Sequence, residues 1–128
     1  MTYLLDTHIL LWQLRSPEVF PEKVTRILQD RSARLLISIV VPWEIAIKAN
    51  TGKLDPAGLL DDFEAKITRA SFEMLETTVK QAIRGGKLPL YHRDPFDRLL
   101  IAQAIDLNIP IVSNDRIFDA YGVERIWD

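Results

Sequence analysis

Cysteine is absent from the chain, and histidine occurs only twice. No disulfide framework, thiol nucleophile or sulfur-ligated zinc is therefore available, and an all-nitrogen zinc site lacks ligands. Any metal here would be a hard cation held by oxygen. Charge of one sign is lacking too. The formal net charge is −2, without the basic excess that marks many nucleic-acid binders. That exclusion weakens if acids gather around divalent cations, because two such ions return about four positive charges to the surface a phosphate meets. Long apolar runs are also missing. The longest uncharged stretch, "LLISIVVPW", is too short to span a bilayer. The start "MTYLLDTHILLW" has no basic leader, and Asp6 interrupts its apolar run. No signal peptide and no membrane association are expected, which makes a cytoplasmic protein the default.

What remains is ordinary soluble material: 128 residues, 48% hydrophobic and 27% charged. That length suits one domain, residues 1–128, burying roughly two-thirds of its unfolded-chain surface. "TYLLD" and "LLIS" at 35–38 read as buried strands, "SFEMLE" at 71–76 as a third, and "PIVSND" and "VERIW" as two more. Helical patterns lie between them: "THILLWQLR", "IVVPWEIAIKANTGK" ending near Gly52, and "DPAGLLDDFEAKITRA" opening on Asp55-Pro56. "TTVKQAIR" is expected to be a short helix halted by Gly85-Gly86, and Pro95 to about Leu107 a longer one. "RIFDAYG" reads as a turn or short helix. Strands alternating with helices predict a three-layer α/β/α domain around a central parallel sheet.

In such a fold the carboxyl ends of the strands face the amino ends of the helices, and ligands bind in that crevice. Four acids fall there: Asp6 ends the first strand, Glu44 lies early in the helix after "LLIS", Asp97 lies in the first turn from Pro95, and Asp115 follows "PIVS". Each has a structural explanation by itself. Asp6 and Asp115 suit helix caps, and Glu44 and Lys48 form an i,i+4 pair typical of a solvated face. Asp94 is an N-cap with Pro95 at N1, leaving Asp97 at N3 on the side of Leu100, Ile101 and Ala104 that must pack on the sheet. The spacing therefore assigns Asp94 to the cap and Asp97 to chemistry. Carboxylates about 5 Å apart repel by roughly 3 kcal/mol per pair at an effective dielectric near 20. Protons or cations must relieve that repulsion. At neutral pH Mg²⁺ or Mn²⁺ is the natural counter-ion, and such an ion can activate water and stabilise charge on a phosphodiester under in-line attack.

The stretches "LLDTHILLW", "WEIAIKANTGKL", "LPLYHRDPFDRLLIAQA" and "IVSNDRIFDAYGV" together resemble the PIN-domain ribonucleases, and among them the VapC toxins of type II toxin–antitoxin systems. The resemblance runs nearly end to end. It implies an Mg²⁺- or Mn²⁺-dependent endoribonuclease acting on single-stranded RNA. It also implies a homodimer, silenced by a small VapB-like antitoxin whose tail crosses the groove. The family's four acids fall on Asp6, Glu44, Asp97 and Asp115, its small hydroxyl residue before the fourth acid on Ser113, and its hydroxyl after the first acid on Thr7. Use of the fourth acid varies in the family, so Asp115 is the weakest of the set.

The neighbours of these acids carry further expectations. Ser113 suits a hydrogen bond to a carboxylate, and equally a strand-end turn. His8 reads as a buried, hydrogen-bonded imidazole rather than a base. Arg84, Lys87, His92, Arg93 and Arg98 form a phosphate-tracking rim or simply a soluble charged loop, with Tyr91 available to stack on a base. Trp12 and Trp43 read first as core, and otherwise as partner contacts. "RGGK" lacks phosphate-loop spacing. Two other functions compete. A receiver-like signalling module needs paired acids at the first strand and an Asp ending the third, which "SFEMLE" does not supply. A catalytically silent PIN-fold domain that binds RNA or protein is opposed only by the intact acids.

Overall fold

The computed structural model describes residues 1–128. The elements run β1 (Thr2–Leu5), α1 (Thr7–Arg15), α2 (Glu22–Gln29), β2 (Arg34–Ser38), α3 (Val40–Asn50), α4 (Phe63–Arg69), β3 (Glu73–Leu75), α5 (Val79–Lys87), α6 (Pro95–Leu107), β4 (Ile111–Val112) and β5 (Arg125–Ile126). Short 3-10 turns occupy Pro17–Val19 and Arg116–Tyr121. The five strands form one sheet in the order β3-β2-β1-β4-β5, with every pairing parallel. Connections toward β3 and those returning to β4 and β5 travel in opposite directions, so right-handed crossovers place helices on both faces. The expected three-layer α/β/α architecture is the observed one.

The sheet is two-sided, and its central strands are apolar on both sides. Leu4 and Leu5 of β1, Ile37 of β2, and Ile111 and Val112 of β4 are all fully buried, as a parallel sheet covered on both faces requires. β1 pairs with β2 through Leu5↔Ile37 and with β4 through Leu5↔Val112, so three strand ends come level at one place. There the strand order reverses, with β2 on one flank of β1 and β4 on the other. Asp6 and Ser113 are the next residues along β1 and β4, and Asp6 extends the pairing by donating its backbone N–H to the Val112 carbonyl.

α6 starts and stops as its sequence dictates. The Asp94 carboxylate accepts from the backbone N–H groups of Phe96 and Asp97, Pro95 occupies the first turn, and Asn108 closes the helix in the left-handed conformation. Its buried Leu100, Ile101 and Ala104 join the core, where a fully buried Leu or Ile contributes roughly 1.5–3 kcal/mol.

Two local expectations fail and one helix is unanticipated, each for a visible reason. The segment after Asp55 is not one long helix. The Asp55 side chain caps a tight turn by accepting from Ala57 N–H, and Ala57, Gly58 and Asp62 all have positive φ, so helix begins only at Phe63. α2 has no counterpart in the sequence reading. It is eight residues long, its N-cap Pro21 offers no side-chain hydrogen bond, and only Val24 is fully buried. Gly85-Gly86 does not halt a helix either. α5 runs through both glycines to Lys87 and packs along α6. A Cβ on Gly85 would stand 3.4 Å from the Leu99 Cα and 3.5 Å from the Arg98 carbonyl oxygen, whereas one on Gly86 would meet nothing within 4 Å. A Cβ at Gly85 would thus just touch α6, leaving no space for a larger side chain, whereas Gly86 faces open space. Gly86→Ala should raise stability by about 0.5–1 kcal/mol through helix propensity, while Gly85→Val should destabilise by pushing α5 off α6. Denaturant melts of the two variants check this, and equal effects would contradict the packing argument.

Candidate functional site at the carboxyl edge of the sheet

Asp6 serves two elements at once. It is 3% exposed; its Oδ1 caps α1 by accepting from His8 N–H at 2.7 Å and Ile9 N–H at 3.3 Å, while its Oδ2 accepts from the Ser113 hydroxyl at 2.5 Å. The Ser113 oxygen in turn accepts from the Asp115 backbone N–H at 3.0 Å. Ser113 is therefore both a strand-end residue and a carboxylate partner. Burial pushes the Asp6 carboxyl above its usual range, and the Ser113 hydrogen bond only partly offsets that.

Glu44 sits one turn into α3 and is 2% exposed. Thr7 donates its hydroxyl to Oε1 at 2.6 Å, and Lys48 donates to Oε2. Glu44 does pair with Lys48, but the carboxylate lies in the interior rather than on a solvated face. Lys48 is drawn down by burial, but its hydrogen bond to Glu44 and the charges of Glu44, Asp94 and Asp97 more than reverse this and raise its pKa.

Asp97 lies in the first turn of α6, and its Oδ2 is 2.7 Å from His92 Nε2. Burial, with the charges of Asp94, Asp6 and Glu44, pushes its carboxyl up to about 6 despite the His92 hydrogen bond. Three distant parts of the chain thus bring their acids into electrostatic range of one another. The group whose ligand atoms lie within 4.8 Å of one another is His92, Asp94 and Asp97; Asp6 and Glu44 are not part of it. Sequence reasoning left His92 on the rim and Asp94 as a cap alone; the crowding of three donor residues in "HRDPFD" was the signal available. Asp115 stands apart. It is exposed, caps the 3-10 turn by accepting from Ile117 N–H, and meets the group through its backbone.

Several neighbours differ from expectation. His8 is not buried. Its side chain is 60% exposed and leans on Trp12, and its Nδ1 is 4.0 Å from Asp6 Oδ1, too long for a hydrogen bond. Trp12 packs with Phe20 and Trp127 as expected, but Trp43 is 57% exposed, edge-on to Phe96. Arg98 leaves the rim altogether. It is buried, and it donates to the carbonyls of Gly86, Leu88, Pro89 and His92. Lys87, Tyr91 and Arg93 are exposed, and Arg84 is partly so.

The family model for the PIN domain matches residues 3–124. The chain belongs to the PIN domain family. A receiver-like module is thereby set aside. Solved structures similar to this PIN domain include VapBC2 from Rickettsia felis bound to a DNA fragment from its promoter, at a TM-score of 0.71 and 20% identity, with all of both chains covered. VapBC-1 from nontypeable Haemophilus influenzae follows at 0.66 and 19%, covering 98% of this chain and 97% of that one. FitAcB from Neisseria gonorrhoeae is similar at 0.63 and 18%, covering 97% and 96%. Among curated proteins there is no significant sequence match. No helix of this PIN domain is long and apolar enough to cross a membrane.

The raised Asp97 carboxyl has a consequence for stability. Its pKa lies above the ordinary value of 3.8, so the folded chain holds that proton more tightly than the unfolded chain. The stabilisation is full below about pH 3.8 and is lost as pH rises through about 6. In chelator, wild-type stability should fall over that window by at most about 3 kcal/mol from this group, and Asp97→Asn should flatten the fall. Matching pH slopes in denaturant melts of the two proteins would refute it.

Proposed function

We propose that this PIN domain is an Mg²⁺- or Mn²⁺-dependent endoribonuclease that cleaves single-stranded RNA. The observation that carries the reading is the Asp97 carboxyl, which burial and the charges of Asp94, Asp6 and Glu44 push up to about 6. Such an oxygen-rich donor set fits a hard divalent cation. Asp6, Glu44 and Asp97 would hold it, with Asp115 a peripheral fourth ligand and Ser113 completing the site. His92 and Asp94 are close enough to Asp97 to form a competing donor set. Once bound, the cation would neutralise the carboxylates, polarise a phosphodiester and make water reactive at neutral pH.

The chain's own residues prepare for this. Ser113 fixes the Asp6 carboxylate, Thr7 fixes that of Glu44, and His92 fixes that of Asp97. Orientation by such outer hydrogen bonds typically accounts for ten- to hundredfold effects. Lys48 partly balances the charge of Glu44. Arg84, Lys87 and Arg93 lie near the approach to α6 in sequence and suit contacts to an RNA backbone, with Tyr91 suited to stacking on a base.

The proposal includes a toxin role in the cytoplasm, with a homodimeric protein and a small VapB-like antitoxin partner. Toxin–antitoxin complexes among the similar structures support that partner. So does the exposed apolar side of α3, where Ile39, Trp43 and Ile47 recur at every fourth residue beside Glu44.

Incubation with a mixed RNA pool, with and without chelator, tests the activity. Asp97→Asn should lower cleavage by more than about a hundredfold, beyond what loss of an outer hydrogen bond causes. Asp94→Asn, which keeps a capping side chain, should retain most of it. A saturating cation at about 100 times its Kd should stabilise the wild type by roughly 2.7 kcal/mol and Asp97→Asn far less. Chelator-resistant cleavage, or equal losses in the two variants, would overturn the assignment.

A further inference from the structure

The segment Leu88–His92 reaches the acidic site with only Leu88 packed against the core. Pro89, Leu90 and Tyr91 are three exposed residues in a row. A stretch with so little buried side chain takes its shape from hydrogen bonds. Arg98 supplies one set. One guanidinium nitrogen donates to Pro89 and His92 carbonyls, both at 3.0 Å, and the other to Gly86 at 3.2 Å and Leu88 at 2.6 Å. Tyr121 supplies the other. Its phenol accepts from the His92 backbone N–H at 2.8 Å and donates to the Pro89 carbonyl at 2.6 Å. Its ring also leans on Tyr91, with centroids 5.3 Å apart.

A guanidinium that is 7% exposed and forms no ion pair carries a large desolvation penalty. The planar fork meets it with charge-assisted bonds to carbonyls, which the single nitrogen of a lysine cannot reproduce. All these carbonyls lie between the last turn of α5 and His92. Arg98 itself directly follows Asp97, so the turn carrying the acid grips the segment carrying that acid's partner. His92 Nε2 reaches Asp97 Oδ2 as a result.

We propose that Arg98 and Tyr121 are positioning residues, which lock the Leu88–His92 strap so that His92 orients the Asp97 carboxylate. The consequence for cleavage rests on the nuclease reading; the positioning itself does not. The test is nitrogen-15 NMR of the His92 ring N–H in wild-type protein, Tyr121→Phe and Arg98→Lys, all without added cation. Tyr121→Phe keeps the ring against Tyr91 and removes only the hydroxyl. In it, the hydrogen-bonded His92 N–H should exchange with solvent at least tenfold faster, while the buried Gln103 side-chain amide, bonded to Thr77, stays unchanged. Arg98→Lys, where it folds, should do the same. RNA cleavage by Tyr121→Phe should fall about tenfold.

An unchanged His92 signal in Tyr121→Phe, a change shared with Gln103, or no hydrogen-bonded His92 N–H in the wild type overturns the proposal. Wild-type protein that shows the expected NMR behaviour but cleaves no RNA supports the positioning and refutes the nuclease reading.

Discussion

Negative charge packed into a low-dielectric edge is the constraint around which this molecule is arranged. Carboxylates repel most strongly where water is excluded, so the fold has to hold them by donors rather than let them drift apart. The hydrogen bond from Ser113 to Asp6 is the longest-range such restraint, joining residues 107 positions apart. It exists because β4 lies beside β1 with Leu5 opposite Val112. Were the strand order different, Asp6 would be a helix cap and nothing more.

The remaining restraints follow the same logic with different donors. A threonine hydroxyl and a lysine hold Glu44, while an imidazole holds Asp97. Apart from the Lys48–Glu44 pair within α3, each restraint joins separate segments of the chain, so the acids are positioned by packing as well as by their own backbone. α6 packs on both α3 and α5, which ties the turn bearing Asp97 to the helix bearing Glu44 and to the approach of His92. A local break in this scaffold would therefore be felt at the acids before it unfolded the sheet.

Helix capping and chemistry share residues here rather than dividing them. Asp6 caps α1 with one oxygen and meets Ser113 with the other. Asp94 caps α6 and still raises the Asp97 carboxyl by its charge. Capping places a carboxylate at the positive end of a helix dipole, which stabilises part of the charge that the crevice concentrates. That helps explain how the fold tolerates so many acids at one edge.

Local rules account for what the sequence determined by itself. Alternating apolar runs led to a parallel α/β/α domain, Asp94-Pro95 placed the start of α6, and hydrophobic periodicity put Asp97 toward the sheet. Those features depend on neighbours within a few residues, where backbone preference and burial act directly. Only the tertiary structure decided the rest. Arg98 looked like a solvent-facing phosphate contact until the carbonyls of a preceding loop proved to surround it. Gly85 looked like a helix stop until α6 was seen lying against it, and Glu44, placed at the crevice by its position, revealed its Thr7 partner only once α1 and α3 were packed together. In each case the deciding partner is too far along the chain for spacing to reveal it, and only packing chooses which polar groups meet.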